Sequence, residues 1–213
     1  MDPGRFAVIF PDSAFVPVVL GFFGLGTGYL IYGPQELLRA PRRNADVDRA
    51  MGVWGIFMPG LCQLLAGIYL FVGLTWFQVF TDKALYMAAL AFSAYGIHWF
   101  ALGWNRFQRT GVKTDAGMCV AFVILSVLGM VVFFSAGAWP VGLLFVGLTG
   151  VYVSKFFISL PFDRPRQGGS MAMVTTAGDW GQGFFHTLTG LWLMYLTFAT
   201  TLNIASGYDL PGG

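Results

Sequence analysis

A small set of uncharged polar side chains lies within stretches of the sequence that are otherwise apolar. Its members with the most chemical interest are Thr27, Gln63, Tyr95, His98 and Thr149. Hydroxyls, amides and a neutral imidazole donate and accept hydrogen bonds without carrying a fixed charge. Such groups could guide a small, partly apolar solute along a narrow path. They are equally suited to bonding within one helix or between packed helices, so both interpretations stay open.

Gln63 lies near the middle of the apolar run 55–71. An unpaired amide in lipid costs on the order of several kcal/mol, so this side chain must face protein or water. Gly60 lies three residues before it and Gly67 four residues after it, and residues at these spacings share one helical face. The amide therefore sits on a stripe without side-chain bulk. Such a stripe predicts either a close helix–helix contact or room for a solute.

Other chemistries lack the residues they need. The sequence contains no Cys/His spacing typical of a metal site, no serine in a nucleophile elbow and no phosphate-binding glycine loop. His98 and His186 have no partner at ligand spacing. We therefore expect that the chain is not an enzyme and that it holds no metal ion and no cofactor.

The composition indicates the environment that must position these side chains. Apolar residues make up 56% of the 213 residues and charged residues only 10%, whereas soluble domains average about 25% charged residues. We expect an all-α polytopic membrane protein whose residues 1–213 form one transmembrane domain. Six transmembrane helices are predicted, with approximate bounds of 17–32, 51–72, 84–103, 116–134, 141–160 and 184–204.

The charged residues are expected to lie outside these spans. Residues 35–49 are predicted to form a loop or a short interfacial helix, and all ten carboxylates are assigned to loops or termini. This placement argues against a proton relay built from buried Asp and Glu. Lys155, about one turn from the end of the fifth span, is interpreted as a lysine that extends its amine towards the membrane surface.

The basic residues predict an orientation. Nine of them lie in the loops after the first, third and fifth spans, and two, Arg5 and Lys83, lie on the other side. The nine are Arg39, Arg42, Arg43, Arg49, Arg106, Arg109, Lys113, Arg164 and Arg166. Because loops rich in Lys and Arg stay in the cytoplasm, the count predicts that both termini lie outside.

Two spans carry a pattern that resembles a known family. The pattern is Gly55-x-x-x-x-Gly60-x-x-Gln63-x-x-Ala66-Gly67, followed by Ala91-Phe92-x-x-Tyr95-Gly96-x-x-Trp99. Weaker matches are Pro17 and Phe23-Gly24 in the first span, Phe145-x-x-Leu148-Thr149 in the fifth, and Gly190 with Tyr195 in the sixth. Together they resemble the acetate uptake transporter family of succinate–acetate permease type. The chain departs from that family in the first span, where Ala14-Phe15-Val16-Pro17 replaces an Asn-Pro-Ala-Pro run.

The resemblance implies a homohexamer with one pore in each protomer, located in the plasma membrane, here the inner membrane of a prokaryote. It implies that Phe23, Tyr95 and Leu148 form an apolar constriction in the pore. Acetate and related monocarboxylates are the implied solutes, alongside the lipid bilayer and further copies of the chain as partners, with no nucleic acid. We expect Gln63, His98, Thr149 and Thr27 to line the path and to hydrogen-bond the solute. The family keeps its termini inside, so the orientation stays open.

Two alternatives compete with a monocarboxylate channel or transporter. The urea and short-chain amide channels are also six-helix hexameric pores, and they place their termini outside. They carry a glutamate in the sixth helix, where this chain offers only His186 nearby. The other alternative is an accessory structural subunit of a larger membrane complex.

Overall fold

The computed structural model describes residues 15–110, 115–160 and 170–212, with the side chains of residues 15–16 and 170–175 excluded. These residues form seven α-helices and one π-helical segment, without a β-strand in the described ranges. The elements are α1 (Phe15–Leu38), α2 (Ala45–Gly55), the π segment (Ile56–Leu61), α3 (Cys62–Thr75), α4 (Ala84–Gln108), α5 (Asp115–Ser135), α6 (Trp139–Ser159) and α7 (Ser170–Ser206).

Five helical rods are long and apolar enough to cross a membrane. They are Ala45–Thr75, Ala84–Gln108, Asp115–Ser135, Trp139–Ser159 and Thr176–Ser206. The prediction of an all-α protein is therefore confirmed for the described part of the chain, and these helices have the length and apolarity that a membrane span requires. The predicted count of six spans is not confirmed, because α1, a helix of 24 residues, is not among the five.

Residues 35–49, predicted as a loop or a short interfacial helix, are mostly helical. The first helix continues to Leu38, and α2 begins at Ala45. Asn44 caps α2, because its side-chain oxygen accepts a hydrogen bond from the Val47 backbone N–H at 2.9 Å. Acidic residues in the first turn of α2 complement the positive end of the helix dipole. The local capping signals therefore outweigh the density of charge that favoured a loop.

One continuous rod contains α2, the π segment and α3. Pro59 lies inside the π segment, where its missing N–H removes one hydrogen bond from the helical ladder. The π-helical geometry, which is rare in proteins, coincides here with that interruption. Helix α1 passes close to this point, since a Cβ atom added at Gly28 would lie 2.7 Å from Pro59 Cγ.

Small residues let the helices approach closely. A Cβ atom at Gly33 of α1 would lie 2.5 Å from Thr187 Oγ1 of α7. A Cβ atom at Gly96 of α4 would lie 2.7 Å from the Leu64 backbone nitrogen of α3. Membrane helices gain stability from such close backbone contact, because lipid supplies no hydrophobic force between them. The outside of the bundle exposes large apolar side chains suited to lipid, among them Ile68, Ile97, Ile124, Val131, Leu191 and Phe198.

Candidate functional site

An apolar cavity of about 160 Å³ opens at one end of the bundle. It lies where α1, α4 and α6 begin and where α5 and α7 end. Apolar side chains make up most of the wall, including Val18, Phe22, Leu25, Phe92, Phe133, Phe145 and Leu148. Gln63, Asp82 and Tyr95 contribute polar groups, and no Lys or Arg of the described residues lies in the wall. The cavity therefore favours solutes that are small and carry no negative charge.

Gln63 brings a buried amide to the wall of this cavity. The side chain is 1% exposed, and its Oε1 atom has no hydrogen-bond partner within the described residues. Gly67 on the same face serves a different purpose, because a Cβ atom there would collide with Ser93 of α4. The two predictions for this stripe therefore apply to different residues: Gly67 allows a close helix–helix contact, and the Gln63 amide lies in the cavity wall.

A second, polar cavity of about 340 Å³ occupies the other end of the bundle. Cationic and anionic side chains line it together: Arg39, Arg43, Arg106, Arg109 and Lys155 with Glu36, Asp48, Asp115 and Asp179. Lys155 Nζ lies 3.2 Å from Asp115 Oδ2, and both side chains are largely buried. This lysine therefore pairs with a carboxylate where α5 and α6 meet the cavity.

Arg106 organises the wall of the polar cavity. Its Nε atom donates to Asp48 Oδ1 at 2.7 Å, and its Nη2 atom donates to Gln35 Oε1 at 2.9 Å. The guanidinium carbon also lies 5.3 Å from the centre of the Tyr32 ring, a cation–π contact. One side chain from α4 thereby ties α1 and α2 together, which makes this cluster a structural element of the cavity.

The two cavities are separated by a short barrier of constant thickness. The residues that bound it on the two sides are Leu25 and Tyr32 on α1, Tyr95 and Leu102 on α4, and Leu148 and Lys155 on α6. Each pair is separated by seven positions, which is two helical turns and about 10 Å. Residues at this spacing share a helical face, so the three helices present the same side to one axis through the protein.

Aromatic rings fill the barrier. Tyr29, Trp99 and Tyr152 each lie four residues after the residue that bounds the apolar cavity on the same helix, and His186 comes from α7. All four side chains are at most 3% exposed. The ring centroids of Tyr29 and His186 are 4.5 Å apart, those of Tyr29 and Trp99 5.8 Å, and those of Tyr95 and Tyr152 5.7 Å. A layer of rings at this packing closes the axis to water in the structure.

His186 also contacts a carboxylate. Its Nδ1 atom lies 2.6 Å from Glu36 Oε2, and Glu36 lines the polar cavity. The assignment of every carboxylate to loops or termini is wrong for Glu36, which lies inside α1. It is also wrong for Asp46 and Asp48 in α2, for Asp115 at the start of α5 and for Asp179 in α7. An acidic side chain therefore reaches the barrier from one side, although the sequence pattern placed it in a loop.

The structure brings two of the three predicted constriction residues together. Tyr95 and Leu148 both line the inner part of the apolar cavity, and the Tyr95 hydroxyl lies 2.8 Å from Ser126 Oγ. Phe23 is not with them: its side chain is 44% exposed on the outside of the described bundle. The neighbouring Phe22, which is 4% exposed, occupies the cavity wall instead.

The remaining predicted lining residues lie away from both cavities. Thr149 donates its hydroxyl hydrogen bond to the Phe145 carbonyl of its own helix at 2.8 Å. His98 packs its ring against Phe122 and Tyr152, at centroid distances of 4.9 and 5.6 Å. Thr27 is half-buried and is absent from both sets of lining residues. Of the four, only Gln63 faces a cavity.

The sequence analysis did not single out the barrier itself. The signal that could have found it is a repeat on three helices. Residues at positions i and i+7 bound the barrier, and an aromatic residue lies between them at position i+4. These positions are Leu25, Tyr29 and Tyr32; Tyr95, Trp99 and Leu102; and Leu148, Tyr152 and Lys155.

Comparisons with protein-family models, with curated proteins and with solved structures found no match to this chain. Among the described residues, no group of three or more His, Cys, Asp or Glu side chains is placed to hold a metal ion.

Proposed function

We propose that this protein is a membrane channel or transporter for small monocarboxylates such as acetate. The observation that supports the proposal is the alignment of two cavities on one axis, with a barrier two helical turns thick between them. Packing of ordinary helices rarely leaves large voids, whereas a solute path needs an entrance at each end and a selective region between them. The ring layer of the barrier is the selective region in this proposal.

The walls constrain the form in which a carboxylate would pass. The apolar cavity has no described Lys or Arg in its wall, and its polar groups are the Asp82 carboxylate, the Gln63 amide and the Tyr95 hydroxyl. An anion would lose its hydration there without gaining a positive partner, which is costly in an apolar site. The undissociated acid, with its O–H donor, suits the cavity better. The polar cavity at the opposite end has five cationic and four anionic side chains, and its exposed arginines, Arg39, Arg43 and Arg109, would attract the anion there.

A second candidate is a urea or short-chain amide channel, and the Gln63 amide favours it. Amides and urea carry no charge, so they can enter the apolar cavity and hydrogen-bond the Gln63 amide without any change of protonation. The cavity volume of about 160 Å³ also limits the solute to a small molecule. The two candidates therefore share a site and differ in the solute.

Uptake by liposomes that contain the purified protein separates the candidates. We expect labelled acetate to enter faster than in empty liposomes, with a rate that rises as the external pH falls. Background acetate uptake with fast urea or acetamide uptake would transfer the assignment to the amide channels. Background uptake of all of these solutes would contradict a transport function.

The assembly and location are part of the same proposal. We propose six spans, with α1 as the sixth, in a homohexamer in the inner membrane of a prokaryote, with the polar cavity facing the cytoplasm. The basic residues at the polar end support that orientation, and the family resemblance supports the hexamer. Purification tests the alternative of an accessory subunit: a channel should run alone as a homo-oligomer, whereas an accessory subunit should carry unlike chains with it.

A further inference from the structure

The residues that follow α7, 207–212, turn back across the end of the bundle; we call them the strap. Asn203 holds the strap through both halves of its amide. Its Nδ2 atom donates to the Leu210 carbonyl at 2.8 Å, and its Oδ1 atom accepts from the Leu210 N–H at 2.9 Å. A reciprocal pair of this kind fixes the orientation of the segment as well as its distance from the helix.

Two further side chains of α7 extend this attachment. The Tyr195 hydroxyl donates to the Pro211 carbonyl at 3.1 Å, and the Thr200 hydroxyl donates to the Gly212 carbonyl at 3.3 Å. Three consecutive residues of the strap are therefore each bonded to a side chain of α7. A segment tied at successive residues lies in a defined position on the helix surface.

The last described residue of the strap reaches the cavity wall. Gly212 lines the apolar cavity, with a φ of +89°, a conformation that favours glycine. A Cβ atom there would lie 2.8 Å from Leu196 Cδ2 and 2.8 Å from Pro140 Cβ. The strap is therefore wedged between the start of α6 and the side of α7.

The strap shares this end of the cavity with two loops. Asp82, from the loop before α4, and Ala138, from the loop before α6, belong to the same wall. Pro140 is itself held in place, because its carbonyl accepts a hydrogen bond from Trp192 Nε1 at 2.9 Å. The opening of the apolar cavity is thus bounded by connecting segments rather than by helices alone.

We propose that the strap forms the outer rim of the apolar cavity and sets the largest solute that can enter from this end. The inference rests on the proposed function, since a size limit has a meaning only for a cavity that solutes enter. Asn203 is then a positioning residue for solute selection, although it lies outside the cavity wall. Gly212 is the point at which the strap itself meets the solute space.

Cysteine labelling tests the rim without requiring transport. In a background of Cys62→Ala and Cys119→Ala, Ala88→Cys places a thiol on the cavity wall. Methanethiosulfonate reagents of increasing size are then applied. Because Asn203→Ala removes both bonds to Leu210, we expect labelling by a bulky reagent to become about tenfold faster. The matched control is Thr201→Ala, whose hydroxyl bonds only the Thr197 carbonyl of its own helix at 2.6 Å; its labelling rate should not change.

Uptake of acetate and butyrate by liposomes gives the second readout. We expect Asn203→Ala and Gly212→Ala each to raise the ratio of butyrate to acetate uptake, while Thr201→Ala leaves it unchanged. Faster labelling in Asn203→Ala without uptake of any solute would support the strap as the rim of the cavity and would contradict the proposed transport function. An unchanged labelling rate together with an unchanged ratio of butyrate to acetate uptake would contradict the proposal that the strap forms the rim. Should Asn203→Ala not fold, Tyr195→Phe removes a single strap bond and is judged by the same two criteria.

Discussion

His186 Nδ1 and Glu36 Oε2 lie 2.6 Å apart at the point where the polar cavity meets the aromatic barrier. The two residues come from α7 and α1, and they are 150 positions apart in the sequence. The imidazole also faces the ring of Tyr29, with 4.5 Å between the centroids. This contact therefore joins the charged wall of one cavity to the ring layer that closes the axis.

A double-mutant cycle should measure this contact. We expect Glu36→Ala and His186→Ala to be coupled by about 1–3 kcal/mol in the free energy of unfolding, because the two side chains are direct neighbours and mostly buried. The measurement is the unfolding of the purified protein in detergent, for both single variants and the double variant. The matched cycle pairs Glu36→Ala with Thr149→Ala, and these two changes should be additive. A coupling near zero in the first cycle would mean that the contact contributes nothing to stability.

Adjacent phenylalanines give a direct test of the path. Phe22→Ala removes a ring from the apolar cavity wall, so we expect it to widen the cavity and to raise solute uptake several-fold. Phe23→Ala removes a ring from the outer surface, which lies away from both cavities, and should leave the rate unchanged. Liposome uptake of acetate and of urea measures both variants. If Phe23→Ala raised solute uptake and Phe22→Ala did not, the solute path would lie on the other face of α1.

These two phenylalanines also show what limited the sequence analysis. The length and apolarity of the helices were predictable, because a bilayer imposes both. The direction of each side chain was not, because α1 is apolar on the lipid side and on the cavity side. A step of one residue turns the side chain by about 100° around the helix. One such step separates Phe23, on the outer surface, from Phe22, in the cavity wall.

The candidate site shows the same limit for polar residues. Gln63 could be placed from its sequence neighbours, because an amide amid apolar residues must face protein or water. The contact between Glu36 and His186 could not be predicted, since nothing in the local sequence relates residues that are so far apart in the chain. The continuation of α1 through residues 35–38 brings Leu37 against α7, where a Cβ atom at Gly183 would lie 2.6 Å from the Leu37 backbone nitrogen, and local charge density does not reveal this contact.

Gln63→Leu should separate function from stability. The substitution replaces an amide of similar size whose Oε1 atom has no partner among the described residues, so the folded protein loses no internal bond at that atom. We expect the midpoint of thermal unfolding to stay unchanged or to rise. Solute uptake should fall by about tenfold, because the cavity wall loses the amide that hydrogen-bonds the solute in the proposed function. A fall in stability with unchanged uptake would assign the amide to helix packing alone.

Arg106→Ala should damage the polar cavity more than any change at its exposed rim. Asp48 is buried, with 6% of its side chain exposed, and Arg106 is its closest cation at 2.7 Å. Arg43 also donates to this carboxylate, at 3.1 and 3.4 Å, so Asp48 stays paired when Arg106 is removed. Loss of the shortest, charge-assisted hydrogen bond should then cost about 1.5–3 kcal/mol. Arg109 provides the control, because it lies 4.0 Å from the same carboxylate with 57% of its side chain exposed. Arg109→Ala should cost less than about 1 kcal/mol. Thermal unfolding in detergent compares the two, and equal effects would mean that the hydrogen bonds from Arg106 to Asp48 and Gln35 do not hold α1, α2 and α4 together.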